Sequence, residues 1–187
     1  MTHPPQTATP AMADAQAVVD FWLAAGPQKW FAKDTHFDAE FRQRFQEAHF
    51  AAARQALTHW LRQPQSALAL ILLLDQYPRN AFRDTGHMFA TDGLALAYAR
   101  QSLAHLGQFA PELRNFILLP YMHAEDLPTQ DEALALYREH APEAMPWAQV
   151  HRDVIAQFGR FPHRNPALGR QTTPEEQAFL DQGGFSG

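Results

Sequence analysis

Residues Ala67 to Leu74 read Ala-Leu-Ala-Leu-Ile-Leu-Leu-Leu, apolar at every position. A helix built from such a run has no polar face to give to water, so it has to be wrapped by other elements. The run is far shorter than the roughly 20 residues a membrane-spanning helix needs. Its length and flanks argue for a helix rather than a strand. The rest of the chain must therefore supply amphipathic partners that cover a central buried helix, with Ser66 as its expected cap and its end near Tyr77.

Those partners are legible. Thr9-Pro10 reads as an N-cap followed by a first-turn proline, with Val18, Phe21, Trp22 and Ala25 at helical spacing before a Gly26-Pro27 stop. Phe37, Phe41, Phe45, Ala48 and Ala52 form the stripe of a second helix. Thr91 or Asp92 caps a helix carrying Leu96, Ala99, Leu103 and Leu106. Pro111 to Leu119 is a short helix closed by Pro120, and Thr129 with Glu132 makes a capping box. Trp147, Val150, His151, Val154, Ile155 and Phe158 stripe another helix, with Gly159 in the C-cap role. Thr173-Pro174-Glu175-Glu176 opens a last one. Sustained period-two alternation occurs nowhere, so no sheet is expected. About eight helices with short connections predict an all-α domain; antiparallel hairpins packed in series suit the connection lengths, although no clean internal repeat is visible. Residues 11–181 form that domain, between a disordered tail at 1–10 and a flexible one at 182–187.

Composition narrows the function. The net charge is -5, with 15 Lys+Arg against 20 Asp+Glu, so the surface lacks the basic excess that nucleic-acid binding requires. There is no cysteine, which removes disulfides, thiolate metal sites and a Cys nucleophile. Met1 to Pro10 has neither a basic nor an apolar region of a signal peptide. A cytoplasmic protein without nucleic-acid or membrane partners is the expectation. P-loop, dinucleotide-binding and nucleophile-elbow motifs are missing.

The chemistry concentrates in Asp75-Gln76-Tyr77-Pro78-Arg79-Asn80 and Phe158-Gly159-Arg160-Phe161-Pro162-His163-Arg164-Asn165. Each places Arg, Asn and aromatic groups around a proline where an apolar helix should end. A carboxylate such as Asp75, directly after an apolar helix, costs several kcal/mol (about 1–3 or more) if buried unpaired, so it needs a partner. Arg79 is the obvious one. Convergent Arg side chains suit phosphate or carboxylate. The expected ligand-binding set is Asp75, Arg79, Asn80, Arg160, Arg164 and Asn165, with His123, Glu125 and His163 as catalytic candidates for acid–base work near neutral pH. His123, Glu125, Asp126, His151 and Asp153 offer enough N and O atoms for a divalent metal but no diagnostic spacing, so neither metal nor cofactor is expected. Against this pocket for a small anionic ligand stands a second reading, in which the same Arg and Asn groups are clamps between helices of a non-catalytic module for a protein partner.

Trp30-Phe31, Leu73 to Asn80, Phe89-Ala90-Thr91-Asp92, Leu119 to Asp126, Phe158 to Asn165, Leu168-Gly169-Arg170 and Thr173 to Glu176 together resemble DUF924, a bacterial family of unknown function, over residues 14–181. The resemblance implies an all-α, tetratricopeptide-like fold of stacked hairpins. It implies no activity and no catalytic residues.

Overall fold

The run Ala67 to Leu74 is wholly buried and forms the axis around which the chain winds. The computed structural model describes residues 14–187, so the tail at 1–10 and the Thr9-Pro10 cap lie outside the described residues. The first described helix, α1 (Ala15–Ala25), is capped by Asp14, which accepts from the Ala17 N–H. It is followed by α2 (Pro27–Trp30) and α3 (Thr35–Ala53). The central helix α4 (Pro64–Ile71) runs through a π turn (Leu72–Gln76) into α5 (Tyr77–Ala81). Then come α6 (Asp92–Ser102), α7 (Pro111–Met122), α8 (Leu127–His140), α9 (Met145–Phe158) and α10 (Pro174–Asp181). Among the described residues there is no strand: the protein is all-α.

From α6 to α9 each helix packs on the next in sequence, while α1 and α6 close on α4 and α3 closes on α5. Phe37, Phe41, Phe45, Trp22, Trp30 and Phe116 interlock on one side of the axis, as the Phe stripe predicts. Leu72 is fully buried here. Leu72→Ala should cost about 2–5 kcal/mol; a loss under about 1 kcal/mol in urea melts would show that the axis is not central.

Several local expectations need correction. The central helix does not end near Tyr77; it continues to Ala81 with Pro78 inside it. A proline there has no N–H to give and its ring collides with the carbonyl of residue 74. The π turn resolves this by widening the helix, with the Tyr77 N–H reaching back to the Leu72 carbonyl. Four consecutive carbonyls then receive side-chain donors. Leu73 is met by His49 Nδ1 at 2.8 Å, Leu74 by Thr91 Oγ1, Asp75 by Arg79 Nη1 at 2.8 Å and Gln76 by Asn80 Nδ2 at 2.9 Å. Ser66 is no cap; its hydroxyl donates to the Trp60 and Gln63 carbonyls.

Pro120 likewise does not close α7, which reaches Met122. Near a helix end a proline strands only one carbonyl. The cap of α8 is Asp126, which accepts from Thr129 N–H and Oγ1 at 3.0 and 2.6 Å, so the Thr129 box is displaced by one turn. In α9 the buried face is Ala148, His151, Val154 and Ile155, and Trp147 is 63% exposed. The Thr173–Glu176 capping box and the left-handed Gly159 cap, φ 70°, form as read from the sequence. Phe185, in the segment expected to be a flexible tail, sits against His151, Phe161 and His163.

Candidate functional site

The start of α6, the end of α7 and the segment after α9 meet around one cleft of about 330 Å³, and the π turn touches it from behind through the Asp75–His123 contact. Each brings a charged group for its own local reason. The widened turn aims Asp75, fully buried, across to α7. There Gln130 holds the end of α7 by donating to the Met122 and Ala124 carbonyls at 2.7 and 2.8 Å, which fixes His123 between them.

Asp75 is completely matched. Its Oδ1 lies 2.7 Å from His123 Nδ1 and 3.2 Å from Arg79 Nη1, and its Oδ2 accepts from Gln76 Nε2 at 2.6 Å. Burial would raise its pKa, but Arg79 and His123 outweigh that and hold the carboxyl well below the usual range. Arg79 in turn forks onto Asp92 at 2.8 and 3.0 Å. Burial, then the positive charge of Arg79, hold His123 below its ordinary value against the pull of Asp75. His123 is therefore neutral at pH 7. Since Asp75 is ionised, Nδ1 carries the proton and donates to it, leaving the Nε2 lone pair for a ligand.

The opposite wall is Glu125, Arg164 and Arg170. Glu125 accepts from Arg170 at 2.9 and 2.7 Å and from the Phe161 N–H at 2.9 Å. Burial would raise its pKa; these donors, Arg170 first, lower it. Arg164 differs. It is 6% exposed, and its guanidinium lies over the rings of Phe89 and Phe161, 4.6 and 4.5 Å from their centres. One ion pair reaches it, Nη1 to Asp92 at 3.3 Å, and Asp92 is already shared with Arg79. Its Nε is buried without a partner, and Nη2 has none among the described residues. Burial and the nearby Arg79 push its pKa down to about 10.

Of the residues expected together, Asp75, Arg79, His123, Glu125 and Arg164 do gather here. Arg160 does not: it forks onto the buried Glu176 at 2.6 and 2.9 Å and also donates to the Gln171 carbonyl. Asn165 donates to the same Glu176. Asn80 lies on the far side, accepting from Arg83. His163 stands behind the cleft wall against Phe161 and Phe185, its Nδ1 buried without a partner, and burial lowers it to about 4. The metal-ligand set does not assemble either. His151 Nδ1 bonds the Trp147 carbonyl, and no group of three His, Asp or Glu among the described residues is placed to hold an ion. Sequence reasoning missed Asp92 as the carboxylate that two arginines share, Gln76 and Gln130 as supports, and Phe89 as one of the rings under Arg164. Asp92 reads only as a cap candidate, 13 residues from Arg79.

A family model described as a bacterial protein of unknown function, DUF924, matches residues 18–184. The chain is also similar to a solved structure of a protein of unknown function from Agrobacterium tumefaciens, at 49% identity and a TM-score of 0.87, over 90% of this chain and 97% of the other. No curated protein matches it.

Proposed function

Because the chain belongs to the DUF924 family of bacterial proteins of unknown function, we propose its role from the cleft itself: it binds a small anion on Arg164 and exchanges a proton with it through His123. The observation that carries this reading is the state of Arg164, a guanidinium 6% exposed with only a shared carboxylate 3.3 Å away. A buried cation so poorly matched costs stability, and an anion in the cleft would offset that cost. His123 lines the same cleft, neutral, with Asp75 fixing its tautomer. That is the arrangement of a positioned general base and its orienting carboxylate.

The test is thermal shift with acetate, hexanoate, succinate and inorganic phosphate on the wild type and on Arg164→Met. At 100 times its dissociation constant, an anion that binds should stabilise the wild type by about 2.7 kcal/mol. Arg164→Met should stay folded, because replacing an ill-matched buried charge by an apolar side chain is often neutral or stabilising. It should lose the shift. Bound anion should also raise the His123 pKa, read by NMR, because negative charge favours the imidazolium. If no anion shifts the wild type, this reading fails. The rival, a non-catalytic hairpin module for a protein partner, then stands on the exposed Trp147 and Val150 of α9.

A further inference from the structure

We infer that the anion is a monocarboxylate with a short apolar tail, not a phosphate or a dicarboxylate. This rests on the reading of the cleft as an anion site and narrows it. Charge decides first. Asp92, Glu125 and Asp126 line the cleft with Arg164 and Arg170, the ion pair Asp75–Arg79 stands behind them, and His123 is neutral. The side chains of the site thus carry one more negative charge than positive. One added charge sits beside Arg164 at modest cost; a second would be repelled by Asp92 and Glu125 in the same cleft.

Donors decide next. Both terminal nitrogens of Arg79 are taken by Asp92 and both of Arg170 by Glu125. The rings of Phe89 and Phe161 both pack on the Arg164 guanidinium, and Asp92 takes Nη1. Of the terminal nitrogens of these three arginines, Arg164 Nη2 alone has no protein partner among the described residues, and its pair of N–H groups matches a carboxylate better than the many donors a phosphate dianion gathers. The starts of α6 and α8, which open on the cleft, carry their own carboxylates, Asp92 and Asp126. They add no free anion cradle.

The rest of the wall is apolar: Phe89, Leu96, Pro120, Ala124 and Leu168. A volume of about 330 Å³ is at the low end for small-molecule sites, so the tail is short.

The experiment is calorimetric titration of the full chain at pH 7.5 with acetate, butanoate, hexanoate, succinate and inorganic phosphate, on wild type, Arg164→Met and Leu96→Asn. Hexanoate should bind more than tenfold tighter than acetate, with each methylene worth about three- to fourfold. Phosphate and succinate should bind more weakly than hexanoate. Arg164→Met should abolish hexanoate binding, and Leu96→Asn should weaken hexanoate more than acetate. Phosphate or succinate binding tighter than hexanoate overturns this inference and leaves the anion site intact. Hexanoate binding undiminished in Arg164→Met places it elsewhere and overturns both. Binding by none of the five also sinks both.

Discussion

Asp75→Ala lowers the stability of the protein by about 3–5 kcal/mol at pH 7.5, because it breaks a buried ion pair from one side only. The carboxylate is fully buried, and three donors converge on it from Arg79, His123 and Gln76. Its loss leaves the Gln76 amide without its acceptor inside the π turn and leaves Arg79 with Asp92 as its one carboxylate, which Arg164 also uses. Urea denaturation of the variant measures the cost. A loss below about 1 kcal/mol would mean that Asp92 and water compensate Arg79 fully, and that the dyad with His123 is a surface feature. A second readout separates the local electrostatics from the fold. Asp75 pulls the His123 pKa up more than Asp92 does, so Asp75→Asn should lower that pKa further.

The second large effect is acid lability above the range where carboxylates titrate. Burial lowers His49 to about 4, His151 to about 3 and His163 to about 4. In the unfolded chain each titrates near 6.5. Their folded values lie below the unfolded ones, so the unfolded state binds more protons as the pH falls through 6.5. Stability drops over that window and levels only below the folded values. Each histidine contributes about 1.4 kcal/mol per pH unit once the pH is well below 6.5. The depressed carboxylates, Asp75 and Glu176, act in a lower window, where stability present above about 4 is lost as they protonate. Between pH 7 and pH 5 the histidines should therefore dominate. Urea midpoints should fall steeply over that interval, and His49→Gln should remove about one proton from the slope. A flat stability between pH 7 and 5 would show that these rings reach solvent in the native state.

His49 also shows how far local reading goes. It lies four residues after Phe45, one helical turn along the buried face of α3. Its partners are not local: Nδ1 bonds the Leu73 carbonyl 24 residues on, and Nε2 lies 2.9 Å from His87 Nε2. The same split runs through the site. Spacing alone places Phe37, Phe41 and Phe45 on one buried face, sets Thr173 and Glu176 as a capping box, and marks Ala67–Leu74 as an interior axis. Periodicity and caps are short-range physics, written within one or two turns of the residues concerned.

Partner choice is not written there. Arg79, Arg160 and Arg164 share one local context, an aromatic-and-proline segment near a helix end, yet they meet Asp92, Glu176 and a half-share of Asp92. Nothing within a few residues of Arg160 distinguishes Glu176 from Asp75. Only the packing of α10 against the segment after α9 brings it within reach. Pro78 is the sharpest instance. Its local rule ends the helix, and that rule is overridden because His49 and Thr91, from α3 and the turn before α6, supply donors for the neighbouring Leu73 and Leu74 carbonyls. The sequence by itself determined an all-α chain, its buried axis and the side chains available for chemistry. Tertiary structure alone decided which charges cancel and that Arg164 is left half-matched beside His123, because ion pairing depends on distances between elements tens of residues apart.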